Sequence, residues 1–152
     1  MPVVQLSLKG RALRLLGNRE HTRTELERKL ARYAEQPDEL AKVLDDLQAK
    51  GFISEQRVVE SVLHRRAARL GAGRIRQELQ AKGVDGELVA HAMQQLRATE
   101  IARARDVWQR RFGEPPRDTA ERGKQARFLA ARGFTGDVIQ RVLAGGFDED
   151  GG

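Results

Sequence analysis

Arg74-Ile75-Arg76-Gln77-Glu78-Leu79-Gln80-Ala81-Lys82-Gly83-Val84 falls on Lys124-Gln125-Ala126-Arg127-Phe128-Leu129-Ala130-Ala131-Arg132-Gly133-Phe134 when the chain is displaced on itself by 50 residues. The register carries on without a gap: Leu88, Val89, Ala92 and Met93 meet Val138, Ile139, Val142 and Leu143. A displacement of 49 brings Leu26, Leu30, Val43, Leu44 and Leu47 onto Ile75, Leu79, Ala92, Met93 and Leu96. Self-similarity at this period marks stacked supersecondary units, each too small to bury its apolar face alone.

The units read as helical. Leu, Ala, Arg, Glu and Gln dominate, all good helix formers, and no run alternates apolar and polar as a half-buried strand would. Gly51-Phe52, Gly83-Val84, Gly133-Phe134 and Gly146-Phe147 each close an amphipathic stretch. A left-handed glycine followed by an apolar residue folding back is a helix C-terminus. Unit 1 (residues 8–53) is expected to hold a helix from Lys9 to Leu16 with Leu13 and Leu16 inward. A second helix, capped by Thr22 with Glu25 completing a capping box, should end near Arg32. A third should start at Pro37 and run to Lys50. Unit 2 (54–97) should open with Ser54 capping a helix through Val58, Val62 and Leu63. Gly71-Ala72-Gly73 is expected to break that helix, and helices near 74–82 and 86–97 to follow. Unit 3 (98–145) should start at Thr99 with a helix through Ile101, Ala104, Val107, Trp108 and Phe112, ended by Pro115-Pro116. Helices near 118–132 and 136–144 complete it. Residues 1–7 read as an N-terminal tail and 146–152 as an acidic disordered tail. The expected fold is all-α, three tandem three-helix repeats forming an elongated, curved array. Such helices are stabilised by packing on their neighbours rather than singly.

Composition agrees with a thin body. Apolar residues make up 39% and charged ones 33%, which suits a molecule with much surface per residue. A radius of gyration above the ~15 Å of a compact chain this long is expected. There is no cysteine, which excludes disulfides and thiolate metal sites and fits a reducing compartment. The N-terminus lacks a basic stretch followed by an apolar core, and no run of about 18 apolar residues occurs. The expectation is a cytoplasmic protein with no membrane segment.

Catalytic chemistry finds no support. His21, His64 and His91 are far apart in sequence, lack metal-ligand spacing, and read as surface residues. Asp45-Asp46 reads as a solvated pair on an amphipathic helix. Gly71-Ala72-Gly73 lacks the strand, third glycine and lysine of a phosphate loop. Ser7, Ser54 and Ser61 have no nucleophile-elbow context. No enzyme and no cofactor are expected. Trp108, at helical spacing with Ala104, Val107 and Phe112, reads as core, and Phe52, Phe128, Phe134 and Phe147 as core or cap residues.

Basic chemistry is present. The net charge is +6 and the pI about 10.3, a balance suited to a polyanion or an acidic protein face. Residues 61–77 hold Arg65, Arg66, Arg69, Arg74 and Arg76 without an acid, and residues 8–19 hold Lys9, Arg11, Arg14 and Arg19 likewise. Unit 3 adds arginines and Lys124 among acids. Arginine grips carboxylate or phosphate in a bidentate way, so the 65–76 cluster reads as a binding surface. Glu78–Lys82 and Glu25–Lys29 read as ordinary i, i+4 pairs on a solvated face.

Four motifs carry a family resemblance. Arg19-Glu20-His21-Thr22-Arg23-Thr24-Glu25-Leu26 with Lys29-Leu30 resembles the opening signature of the RecX family of recombinase regulators. Gly51-Phe52-Ile53-Ser54 followed by Arg57 and Glu60-Ser61 is similar to its second. Gly73-Arg74-Ile75-Arg76-Gln77-Glu78-Leu79 with Lys82-Gly83-Val84 resembles its central motif. Lys124, Arg127-Phe128-Leu129 and Arg132-Gly133-Phe134, with Asp137 and Ile139, resemble its closing one. The likeness spans about residues 8–144. Val58 and Val62 stand where the family often has phenylalanine, and Ser54-Glu55 replaces a common acidic pair.

The resemblance implies three tandem three-helix repeats without a catalytic site. It implies binding to RecA, as monomer and above all as filament on single-stranded DNA, within the filament's helical groove. Such proteins usually inhibit strand exchange, ATP hydrolysis and the co-protease activity behind the damage response, and several bind DNA. The chain is expected to act as a monomer. Charge clustering and motif membership together nominate Arg11, Arg14, Arg19, Arg23, Arg65, Arg66, Arg69, Arg74, Arg76, Lys82, Lys124, Arg127 and Arg132 as contacts to RecA or DNA. The rival expectations are a stand-alone, non-specific DNA binder of helix-turn-helix type and a helical scaffold whose charge serves only solubility.

Overall fold

The computed structural model describes residues 5–145, so the Gly146-Phe147 cap, the tail 146–152 and the first four residues of the N-terminal tail lie outside them. Among the described residues the chain forms nine α-helices and one short 3-10 turn. Unit 1 holds α1 (Leu8–Asn18), α2 (Arg23–Leu30), the turn Ala31–Tyr33 and α3 (Pro37–Ala49). Unit 2 holds α4 (Glu55–Arg66), α5 (Ala72–Ala81) and α6 (Gly86–Arg97). Unit 3 holds α7 (Glu100–Arg111), α8 (Thr119–Ala131) and α9 (Gly136–Leu143).

Each unit closes around its own core. Leu26, Leu30, Leu44 and Leu47 centre the first, Ile75, Leu79, Ala92 and Met93 the second, and Trp108, Leu129, Val142 and Leu143 the third. Positions that coincide in the displaced sequence are thus buried at the same place. Trp108 is core, its Nε1–H donating to Gln125 Oε1 at 2.8 Å within the same buried layer. Burial of an indole is stable only with such a partner.

Local chemistry sets the helix ends. Thr22 and Glu25 form a reciprocal capping box, and Ser54 accepts from the Arg57 N–H. Gly51, Gly83 and Gly133 have φ of 83°, 81° and 95°. The N–H groups of Phe52, Val84 and Phe134 then return to the carbonyls of Leu47, Leu79 and Leu129, a Schellman closure.

Several expectations need correction. α1 buries Leu8 and Ala12, leaving Leu13 and Leu16 half-buried. α4 already ends at Arg66; Gly71 is the N-cap of α5 and Gly73 lies inside that helix, so this glycine pair is not the break. Thr99 stands at the cap position of α7 without a side-chain capping bond. Gly113, at φ 75°, ends α7 before Pro115-Pro116 is reached. Phe52 is 47% exposed, neither core nor a covered cap.

Candidate interaction surface

The three second helices run end to end, and this arrangement fixes the rest of the surface. The C-terminus of α8 meets the N-terminus of α5: Gly71 N–H donates to Arg132 O at 2.7 Å and Gly73 N–H to Gly133 O at 3.1 Å. The C-terminus of α5 meets the N-terminus of α2, where the Thr22 hydroxyl donates to Lys82 O. Arg74 reaches Ala131 O and Arg28 reaches Ala81 O, each at 2.8 Å. Helix dipoles are thus aligned head to tail, with cations at the negative ends.

The first helix of a later unit also reaches back. Arg57 of α4 donates to Gly51 O at 2.7 Å and pairs with Glu20 at 3.0 Å. Arg103 of α7 donates to Ala67 O and Leu70 O at 2.9 and 2.8 Å and pairs with Glu100. Glu100 is buried and accepts from the Ala72 N–H at 3.0 Å.

Six of the thirteen nominated cations meet carboxylates or carbonyls within the fold. Arg19 pairs with Glu25 at 2.8 Å, as does Lys82 at 3.2 Å. Burial works to raise the Glu25 carboxyl, but Arg19, the Thr22 N–H and Lys82 outweigh it and hold it at about 2. The expected Glu25–Lys29 pair does not form, because the capping box turns Glu25 toward the N-terminus of its helix. Arg23 ties α2 to α3 through Asp45 at 2.6 Å. Arg65 and Arg66 converge on Glu78 at 3.7 and 3.2 Å. The 61–77 segment has no acid in sequence, yet packing brings Glu78 of α5 against α4, so its charge is partly neutralised. Arg74 spends its guanidinium on Ala131 O.

The other seven, Arg11, Arg14, Arg69, Arg76, Lys124, Arg127 and Arg132, form no ion pair among the described residues. They gather in part around two open cavities. One, about 630 Å³, lies between α1 and the end of α2, lined by Arg11, Arg14, Arg28, Arg32, Tyr33 and apolar Leu6, Leu15 and Leu30. The other, about 360 Å³, lies between α7 and the end of α8, with Arg69, Arg110, Arg111, Arg132, Val107 and Phe128. Charge clustering missed Arg28, Arg32, Tyr33, Arg110 and Arg111. The available signal was the single tyrosine of the chain, set beside Arg32 and one turn after Lys29.

His21 corrects the view of the histidines as surface residues: it is buried, whereas His64 and His91 are exposed. Its Nδ1 lies 3.0 Å from Arg19 O and its Nε2 3.0 Å from Lys29 Nζ. A carbonyl can only accept, so Nδ1 carries the proton and Nε2 accepts from the lysine. Burial, joined by the charges of Arg19 and Lys29, lowers its pKa. Among the described residues no group of three or more His, Cys, Asp or Glu could hold a metal, and no helix is long and apolar enough to cross a membrane.

Comparison with known proteins covers almost the whole chain. Three family models match in tandem: RecX first three-helix domain over residues 9–47, second over 54–93 and third over 98–143. A regulatory protein RecX from Leptothrix cholodnii is 58% identical over 139 residues, covering 91% of this chain and 88% of that one. One from Ralstonia nicotianae is 49% identical over 145 residues, covering 95% and 91%. Among solved structures, RecX from Lactobacillus salivarius superposes with a TM-score of 0.76, covering 91% of this chain and 93% of that one. A second crystal structure of a regulatory protein RecX gives 0.72, covering 89% and 70%. At 20% identity these two likenesses concern the fold.

Proposed function

The chain belongs to the RecX family of regulatory proteins, and from that premise we propose that it binds RecA, as monomer and as filament on single-stranded DNA, and restrains it. The observation that carries this reading is the pair of cation-lined cavities on units 1 and 3, held apart by an end-to-end row of helices. A rigid row with a basic site at each end suits a partner that repeats along an axis, because the second contact is intramolecular once the first is made. The protein bridges neighbouring RecA subunits, blocks the adjustments that turnover needs and occludes a second DNA strand. Strand exchange, ATP hydrolysis and co-protease activity fall together, which places the protein in control of DNA repair and the SOS response.

In this reading it works in the cytoplasm, as a monomer and without catalysis or cofactor. Its repeats are 8–53, 54–97 and 98–145. Of the nominated cations, Arg11, Arg14, Arg69, Arg76, Lys124, Arg127 and Arg132 contact RecA or DNA, whereas Arg19, Arg23, Arg65, Arg66, Arg74 and Lys82, held by carboxylates or carbonyls of the fold, keep the surface in shape.

The test is RecA's ATPase rate on single-stranded DNA with sub-stoichiometric amounts of this protein. A strong fall, lost in the Arg14→Gln/Arg111→Gln variant, is expected. An unchanged rate would end the recombinase reading. DNA binding that weakened steeply with salt in that case would transfer the assignment to a non-specific DNA binder.

A further inference from the structure

The repeats can be overlaid by their buried positions. Ala12, Val62 and Trp108 coincide on the first helices, and Leu30, Leu79 and Leu129 on the second. In that register each unit has the same groove, between the later half of its first helix and the end of its second. Three chemically decisive positions then line up. Arg14 corresponds to His64 and Arg110, Lys29 to Glu78 and Phe128, and Tyr33 to Lys82 and Arg132.

The outer two grooves are the two cavities, and no acid lines either. Their guanidinium groups rest on aromatic rings: Arg11 lies 3.8 Å from the Tyr33 centroid and Arg132 4.8 Å from that of Phe128. A guanidinium stacked on a ring keeps its in-plane donors for a further partner. The middle groove is different. Glu78 occupies it and is met by Arg65, Arg66 and Lys82 at 3.7, 3.2 and 3.8 Å. A carboxylate of the chain itself sits where the outer grooves have open, cation-rimmed space.

We propose that the grooves of units 1 and 3 are a matched pair of docking sites for acidic protein segments that also carry an apolar side chain, and that Glu78 closes the third groove by standing in for the ligand's carboxylate. The ligand's carboxylate meets the guanidinium rim, and its apolar side chain enters the floor made by Leu15 and Leu30 in one groove and Val107 in the other. The apolar floor favours a peptide over a nucleic-acid strand. So does the use of both aromatic rings as supports for arginine, which leaves them less open for stacked bases. So does Glu78 itself, which interrupts what would be a continuous phosphate track. The inference rests on the RecA reading only for the identity of the partner, not for the chemistry of the grooves.

The experiment is an NMR titration of the full chain with the peptide Asp-Glu-Leu-Asp-Glu and, separately, with an eight-residue oligothymidylate. The peptide is expected to shift amides around Tyr33 and Phe128 and to leave those around Glu78 in place. Arg14→Gln should abolish only the first set of shifts and Arg111→Gln only the second. Glu78→Gln should add a third set in unit 2; if that variant fails to fold, the two arginine variants still decide. Peptide binding elsewhere, or none at millimolar concentration, would overturn the proposal. Oligothymidylate occupying the same grooves and resisting displacement by the peptide would overturn it in favour of nucleic acid. If the peptide binds as expected while RecA's ATPase is untouched, the grooves stand and the RecA assignment falls. If the ATPase falls while the peptide does not bind, the reverse holds.

Discussion

The two junctions between units share one geometry and use different chemistry. Where α5 meets α2, side chains make the joint: the Thr22 hydroxyl, the Glu25–Lys82 pair and the exposed Arg57–Glu20 pair. Where α8 meets α5, the backbones touch directly. A Cβ on Gly71 would lie 2.5 Å from the carbonyl carbon of Gly133, and one on Gly133 2.5 Å from the Arg74 nitrogen. The register makes the exchange explicit, since Thr22 and Thr24 of the first junction correspond to Gly71 and Gly73 of the second. The same docking is reached with a hydroxyl reaching across or with no side chain at all. The reach-back arginine follows suit: the Arg57 side chain is 44% exposed and that of Arg103 12%. At the reach-back arginine the first junction is wet and the second dry, although Thr22 and the Glu25–Lys82 pair at the centre of the first are buried or nearly so.

This contrast predicts unequal damage. Arg103→Ala should be the most harmful single change, costing roughly 3–5 kcal/mol. It leaves Glu100 buried without its cation and removes a donor from the carbonyls of Ala67 and Leu70. Urea unfolding measures it, and a loss below about 1 kcal/mol would mean that water enters the junction and that it is not dry. Gly71→Ala comes next, at roughly 2–3 kcal/mol, as an overpacking cost. Gly71 has φ −81°, so its backbone suits alanine and the whole effect is steric. Crystallography of the variant should find α8 displaced from α5. An unmoved junction with unchanged stability would refute the close approach.

Much of this architecture was legible in the sequence. The displaced register located Leu26, Ile75, Leu30 and Leu79 as core, because helical burial repeats with the unit and local pattern records it. The capping box at Thr22 was equally legible, since all its partners lie within three residues. What escaped was what depends on contacts between helices, within a unit or across two. Gly71 and Gly73 look like a helix break until Gly133 is brought against them. Arg65 and Arg66 look uncompensated until α5 delivers Glu78, and His21 looks exposed until the fold buries it with its ring held by Arg19 O and Lys29. The basic character of the surface was visible as composition. Its division into two open grooves and a closed one needed the tertiary register, because Lys29, Glu78 and Phe128 share nothing in sequence but their place.

Acid should loosen the first junction at its own titrating groups. Glu25 falls from an ordinary 4.5 to about 2 in the folded chain, so its contribution is complete above pH 4.5 and is lost as pH falls toward 2. On the order of 2 kcal/mol is at stake after allowing for screening around the part-exposed Arg19. His21 acts in the same direction at higher pH. Its folded pKa lies below 6.5, so the unfolded chain binds the proton first and stability declines as pH drops below about 6.5. Amide exchange should therefore quicken in α2 before α8 as the solution is acidified. Glu25→Gln should flatten the lower part of that dependence. Equal quickening in both helices would show that the acid response belongs to the whole chain and not to this junction.

The smallest effect, and the sharpest use of the comparison, concerns Arg57. It occupies in unit 2 the place that Arg103 holds in unit 3, five residues before the buried Val62 as Arg103 is five before the buried Trp108. Both arginines bond to a carbonyl of the preceding segment and to a carboxylate. If position in the repeat set the energy, Arg57→Ala and Arg103→Ala would cost the same. If desolvation sets it, Arg57→Ala should cost less than about 1 kcal/mol, as exposed pairs do, because water replaces the guanidinium at Gly51 O and at Glu20. The double variant Arg57→Ala/Glu20→Ala should then differ little from either single change, giving a coupling energy of a few tenths of a kcal/mol. A cost for Arg57→Ala that matched Arg103→Ala would show that the two junctions are alike in energy as well as in geometry, and that the exposed ion pair is held more rigidly than its accessibility implies.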